Sequence, residues 1–278
     1  MPDGRRPTRK ASAALPDRHT LYQKAVQAPD AEIDFVDSRF RRLRGRTASR
    51  LREDFCGTAF TSCEWVRRRR TNRALGLDLD RATLAWGAAH NAAGLRPDAA
   101  ARLRLLRRNV LSPGPGAGGM DIVLAMNFSW WVFRTRRELL RYFRAVRRSL
   151  VRDGVFFLDI YGGYEAQAEV RERTRIGGAK RGFTYIWDEE RFDPITHGTR
   201  CHISFKLADG RRMPRAFTYD WRLWTIPETR DALADAGFGR TIVYWEGEDG
   251  KGGGDGNFRP ATRGECSASF IAYIAALR

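Results

Sequence analysis

Leu51-Arg52-Glu53-Asp54-Phe55-Cys56-Gly57-Thr58-Ala59 reads as a short strand running into a tight turn, and Asp78 follows twenty-one residues after its glycine, at the end of a second apolar run. A glycine at a strand end lets the backbone turn sharply and approach a ligand with no Cβ in the way. A carboxylate at the end of the next strand can accept hydrogen bonds from both hydroxyls of a ribose. Together the two features point to a nucleoside-containing cofactor. The competing reading is a plain strand–helix turn with an acidic residue ahead of the next helix.

Outward from this stretch, helix and strand signals alternate. Residues 51–55 form a strand, followed by a helix to about Arg69, and residues 74–79 form a second strand. Asp80 caps an Ala-rich helix that stops near Gly94. Residues 103–110 are a third strand and residues 121–126 an apolar run of the length of a buried parallel strand. Leu139, Leu140, Phe143, Val146 and Leu150 make a helical stripe. A turn at Asp153-Gly154 leads into a strand over residues 155–160. Such alternation predicts an α/β fold with a mostly parallel sheet and helices on both faces. The pattern changes after Tyr161. Residues 183–187, 202–207 and 215–221 are β-rich, so residues 164–224 are expected to be a small antiparallel insertion over the site. Thr225-Ile226-Pro227-Glu228 has capping-box spacing and opens a helix to Ala236. Strands over residues 240–245 and 267–276 follow, joined by a glycine-rich loop at residues 247–256. Residues 20–27 read as a short N-terminal helix.

The 278 residues fit one domain over residues 19–278, preceded by a disordered basic tail at residues 1–18. No apolar stretch approaches the roughly 20 residues of a membrane span, and the N-terminus lacks the apolar block of a signal peptide. The expected location is cytoplasmic. Cys56, Cys63, Cys201 and Cys266 are scattered with no C-x-x-C pair, so no metal is expected. The net charge of +17 invites a nucleic-acid reading, but only five of the fifty basic residues are Lys and the Arg excess is spread along the chain. A solvated basic surface is favoured over a nucleic-acid footprint.

The dinucleotide fingerprint G-x-G-x-x-G is poorly met around Gly57, and a pyrophosphate needs that bare, donor-rich turn. Instead, Glu53-x-Phe55-x-Gly57-x-Ala59 resembles the first motif of class I S-adenosylmethionine (SAM)-dependent methyltransferases, with one of its three glycines. Residues 74–80, 121–127 and 150–159 resemble that family's later motifs, in the right order. The resemblance implies a Rossmann-like, seven-stranded, mostly parallel sheet, with SAM as cofactor and S-adenosylhomocysteine as product. It implies that Glu53 and the turn Phe55, Cys56, Gly57, Thr58 and Ala59 flank the methionine part of SAM. Asp78 would bind the ribose and Leu79 would pack on the adenine. Asn109 and Val110 would stand near the adenine amine, with an ordinary turn as the alternative role for Asn109. Asn127 would reach the methionine moiety or the transferred methyl. Tyr22 on the lid helix is a further cofactor candidate. So is Arg52, which pairs either with the SAM carboxylate or with Glu53 or Asp54.

Methyl transfer from a sulfonium is an in-line displacement, so the protein chiefly aligns the reactants and excludes water. Asn127, Tyr161 and Tyr219 are assigned to the reacting end. Ser129, Trp130, Trp131, Tyr164, Trp221 and Arg222 are the acceptor-binding candidates, with Trp224 a further aromatic. Core packing is the competing role for each aromatic. Arg222 either orients an acceptor carboxylate or pairs with Asp220. Residues 127–131 carry no proline pair of the kind found in base methyltransferases, which favours a small-molecule acceptor. An RNA or protein methyltransferase, or a non-catalytic nucleoside-binding module, are the alternatives.

Overall fold

The computed structural model describes residues 15–178, 182–250 and 253–278. Of the expected tail, residues 1–14 lie outside the described residues, and so do residues 251–252 of the glycine-rich loop. Asp17 caps α1 (Arg18–Val26) by accepting from the N–H groups of His19 and Thr20. Next comes α2 (Pro29–Arg44), which the sequence reading did not include. It starts on a proline, carries Asp30 and Glu32 in its first turn and ends at Gly45 in the left-handed conformation.

The alternating region follows as β1 (Arg50–Asp54), α3 (Phe60–Arg68), β2 (Arg73–Asp78), α4 (Arg81–His90), the short α5 (Pro97–Ala100), β3 (Leu103–Arg107) and β4 (Met120–Ala125). α6 (Arg136–Ser149) has a complete capping box between Thr135 and Glu138. β5 (Leu150–Gly162) runs straight through Asp153-Gly154, where a turn was expected. β6 (Arg171–Ile176), β7 (Phe183–Asp193), β8 (Gly198–Leu207) and β9 (Arg212–Arg222) form the insertion. The chain closes with α7 (Ile226–Asp235), β10 (Arg240–Glu248), β11 (Gly254–Ala261) and β12 (Phe270–Leu277). α7 is held by a second capping box, from Thr225 to Glu228.

Among the described residues the main sheet has eight strands in the order β11-β10-β12-β5-β4-β1-β2-β3. The pairs from β3 to β5 are parallel, and β12 runs antiparallel to both β5 and β10. The expected count of seven is corrected by β11, an edge strand formed by part of the glycine-rich segment and the residues after it. Alternation divides the core between the two faces. Leu51, Ile122, Leu124, Val155 and Phe157 pack towards α2 and α3. Val123, Ala125, Phe156 and Leu158 pack with Leu139, Phe143 and Leu233 of α6 and α7. Strand order reverses between β1 and β4, the place where open parallel sheets bind ligands beyond their carboxyl ends.

The insertion is a separate antiparallel sheet, β6-β7-β8-β9. α1 docks on it through Leu21, which packs among Phe183, Ile203 and Phe205. The insertion and α1 therefore form one layer at the switch point. No described helix is long and apolar enough to cross a membrane.

Candidate functional site

The turn after β1 departs from its motif in residue type but not in shape. Phe55, Gly57 and Ala59 have φ of 56°, 52° and 56°, so all three glycine positions keep the left-handed backbone that glycine favours. Two L-residues there cost about 1–2 kcal/mol each, so the surrounding structure must enforce the conformation. The enforcement is visible. Asp78 accepts from the Gly57 N–H at 2.8 Å, and Asn91 Nδ2 donates to the Thr58 carbonyl at 2.8 Å. A Cβ on Gly87 of α4 would meet that same carbonyl at 2.4 Å, so only glycine lets α4 brace the turn this closely. Phe55 packs its ring on Phe133 and Tyr142.

Asp78 also accepts from the Asp80 N–H at 2.9 Å, which fixes its carboxylate at the end of β2. Each oxygen retains a lone pair for a further donor. Leu79, beside it, is 60% exposed and presents an apolar face at the site. The left-handed turn at 55–59, a fixed carboxylate and this apolar face suit a nucleoside-bearing cofactor such as SAM. Glu53 is buried below the turn and accepts from both the N–H and the hydroxyl of Ser62. Burial raises its carboxyl to about 8.

At the end of β4, Asn127 and Phe128 are again left-handed, with φ of 57° and 55°. Asp159 of β5 pins them by accepting from both N–H groups, at 2.6 and 2.9 Å. Burial raises Asp159 to about 7. The sequence reading quoted Asp159 within a motif but gave it no role.

From this turn a cavity of about 410 Å³ opens between the main sheet, α1 and the insertion. Tyr22, Asn127, Tyr161, Tyr219 and Trp221 line it, as do Phe128, Tyr185 and Trp187, which sequence reasoning missed. Tyr219 and Trp221, two residues apart and so on one face of β9, stack at 4.4 Å. Four glutamates also line the cavity: Glu165, Glu172, Glu189 and Glu246. No described Arg, Lys or His does, and among the described residues none of the four has an ion-pair partner.

Several candidates are placed elsewhere. Arg52 is fully buried, ion-pairs with Asp54 at 2.9 Å and donates to the Ala117 carbonyl, so it does not reach a cofactor carboxylate. Trp130 and Trp224 are core residues whose indoles donate to the carbonyls of Asp159 and Phe133. Trp131 is fully buried behind Tyr161 and Trp221. Ser129 returns its hydroxyl to the Met126 carbonyl. Tyr164 is exposed beside the cavity without lining it. Arg222 lies 3.8 Å over the Trp224 ring and pairs with Glu228, while Asp220 pairs with Arg200. The expected Asp220–Arg222 pair is therefore absent, because the two neighbours face different partners. Asn109 forms an Asx turn to the Leu111 N–H, Val110 is in the core, and Cys56 is buried under the turn. No described group of His, Cys, Asp and Glu is arranged to hold a metal. The sequence reading also missed Gln23, whose amide donates to the Thr58 hydroxyl at 2.7 Å and ties α1 to the turn.

Three solved structures are similar over nearly the whole chain. An amino pentose methyltransferase from Micromonospora echinaspora, involved in calicheamicin biosynthesis and solved with SAM bound, is 20% identical with a TM-score of 0.66, covering 95% of this chain and 99% of that one. This is the class I methyltransferase fold. DesVI of Streptomyces venezuelae is 18% identical with a TM-score of 0.68, covering 93% and 99%. A sugar N-methyltransferase from a Streptoalloteichus species is 20% identical with a TM-score of 0.63, covering 100% and 98%. No protein-family model and no curated protein sequence matches the chain.

Proposed function

We propose that the chain is a SAM-dependent methyltransferase that methylates an amino group of a small, partly apolar acceptor. The cavity carries this reading: four glutamates without cation partners face it beside aromatic walls, in a chain whose net charge is +17. Of the four, Glu189 is buried and Glu246 half-buried, and a carboxylate so placed without a cation is unfavourable unless a ligand supplies one, whereas Glu165 and Glu172 are exposed and add only screened negative potential. The similar proteins that act on an amino pentose and on a sugar nitrogen support the same class of acceptor.

Bound SAM supplies a methyl on a sulfonium, which any aligned nucleophile can take. The chain's own residues do the aligning. Asp78 holds the ribose, Glu53 and residues 55–59 shape the methionine end, and Asp159 fixes Asn127 beside the reacting atoms. α1 and the insertion exclude water. Tyr161 and Tyr219 stand on the acceptor side of the cavity. The basic-surface alternative loses ground at the densest basic run, Arg67–Arg70. Arg68 pairs with Asp34 at 3.1 Å and Arg69 with Asp37 at 2.7 Å, which docks α3 on α2.

Calorimetry with SAM and with S-adenosylhomocysteine tests the cofactor. Both should bind saturably, and Asp78→Ala should weaken both by about tenfold or more, some 1.4 kcal/mol. Well-folded wild-type protein that binds neither ligand ends the methyltransferase reading. Unchanged affinity in the variant removes Asp78 from the ribose.

A further inference from the structure

We propose that Glu189 is the group that holds and deprotonates the acceptor's nitrogen, as the carboxylate end of an aromatic cage; this rests on the methyltransferase reading above. Glu189 is only 6% exposed, on β7, yet it lines the cavity. One of its oxygens, Oε1, accepts from the Tyr161 hydroxyl at 3.1 Å and from the Trp187 indole at 3.0 Å. The other receives no donor among the described residues. Both donors are neutral. A glutamine would accept the same two bonds without a charge to desolvate, so the charge is surplus to the packing. Burial raises the Glu189 carboxyl above its ordinary value, and Glu172, on the same face of the neighbouring strand, adds to the rise.

The rings complete the argument. Trp187 lies 6.2 Å from Tyr219 and 6.1 Å from Trp221, and these two stack on each other, so the three make one continuous wall. Aromatic faces attract a cation, and a carboxylate at their edge adds a directed hydrogen-bond acceptor. An alcohol of the same shape can donate one hydrogen bond to that acceptor but carries no charge for the rings or the carboxylate to attract. In the reaction the acceptor's ammonium gives one proton to the Glu189 carboxylate, which frees the nitrogen lone pair. That lone pair then forms the N–C bond as the S–C bond breaks, the S–C bonding pair staying on sulfur. The products are a secondary ammonium and S-adenosylhomocysteine, and Glu189 returns its proton to solvent.

The test is binding by the full chain, with and without S-adenosylhomocysteine, using cyclohexylammonium and cyclohexanol as probes and tryptophan fluorescence as readout. The wild type should prefer the ammonium by about tenfold or more. Glu189→Gln should lose that preference while binding cyclohexanol and S-adenosylhomocysteine as the wild type does. On the wild type alone, the Trp187 indole N–H resonance should shift with the ammonium and not with the alcohol, a result that does not depend on the variant folding. No preference in the wild type, a full preference retained in Glu189→Gln, or an unmoved indole resonance overturns the assignment. Failure of S-adenosylhomocysteine to bind is seen separately and strikes the cofactor reading instead.

Discussion

Glu53 and Asp159 are carboxyl groups that burial holds near neutrality, at about 8 and about 7, on either side of the turns that shape the cofactor end. A carboxyl raised in the folded state binds its proton more tightly there than in the unfolded chain. Its contribution to stability is full at pH below the ordinary carboxylate range and falls as pH rises towards the folded value. A bound ligand carrying a sulfonium and an ammonium would favour the ionised forms and lower both values. SAM binding at pH about 7.5 should therefore release protons. Calorimetry in buffers of different ionisation enthalpy reads this directly, and proton uptake on binding would contradict the placement of these two groups. The same two turns hold Phe55, Ala59, Asn127 and Phe128 at positive φ. Strain of this kind persists only where surrounding bonds over-determine it, and here Asp78, Asn91 and Asp159 supply those bonds.

The nine residues of α1 are too few for a helix stable in isolation, so its order comes from docking. Leu21 packs against the insertion, Gln23 bonds to Thr58, and His19 lies 5.1 Å from Trp86 of α4. Leu21→Ala removes a side chain that is 5% exposed, a truncation that costs about 2–5 kcal/mol where the site cannot collapse. That sum is borne by one short helix. Hydrogen exchange should show α1 losing protection while β1, β4 and β5 keep theirs, with SAM affinity falling in parallel. Uniform loss of protection would mean that α1 is part of the global core. At this scale the sequence was most legible where pattern and chemistry coincide. The turn at Gly57, the alternating strands and the capping box at Thr225 were readable because each has a local cause. β6 was not, because its residues Arg171–Ile176 are almost all exposed and show no apolar alternation. β11 was hidden by its glycines. For Arg52 the alternatives were the SAM carboxylate and Glu53 or Asp54, and its i, i+2 spacing from Asp54 on a strand already put those two on one face. Glu189 had no local signal, since only the pairing of β7 and the approach of Tyr161 give it a role.

At the scale of the whole molecule the charge is arranged in two opposing parts. The chain carries +17 overall, while its cavity presents glutamates and no described cation. Much of the Arg excess is engaged in structure. Arg46 clamps Asp121 and Asp153, and Arg68 and Arg69 tie α3 to α2. A net positive surface repels a cationic acceptor at long range, while the cavity attracts it at short range. Salt screens the first more than the second, because the Debye length is about 10 Å at 0.1 M and partly buried charges are shielded from it. An RNA-docking enzyme behaves in the opposite way, losing about a thousandfold or more in affinity between roughly 50 and 200 mM salt. Cyclohexylammonium affinity should therefore stay within about threefold over that range, or rise, while any affinity for single-stranded RNA collapses. The two titrations belong side by side on the same preparation. A steep fall for the amine would show that screened, solvent-exposed carboxylates, and not the buried Glu189 with its aromatic wall, hold it. Methylation of an RNA, at a rate that falls as steeply with salt, would revive the basic surface as a docking face.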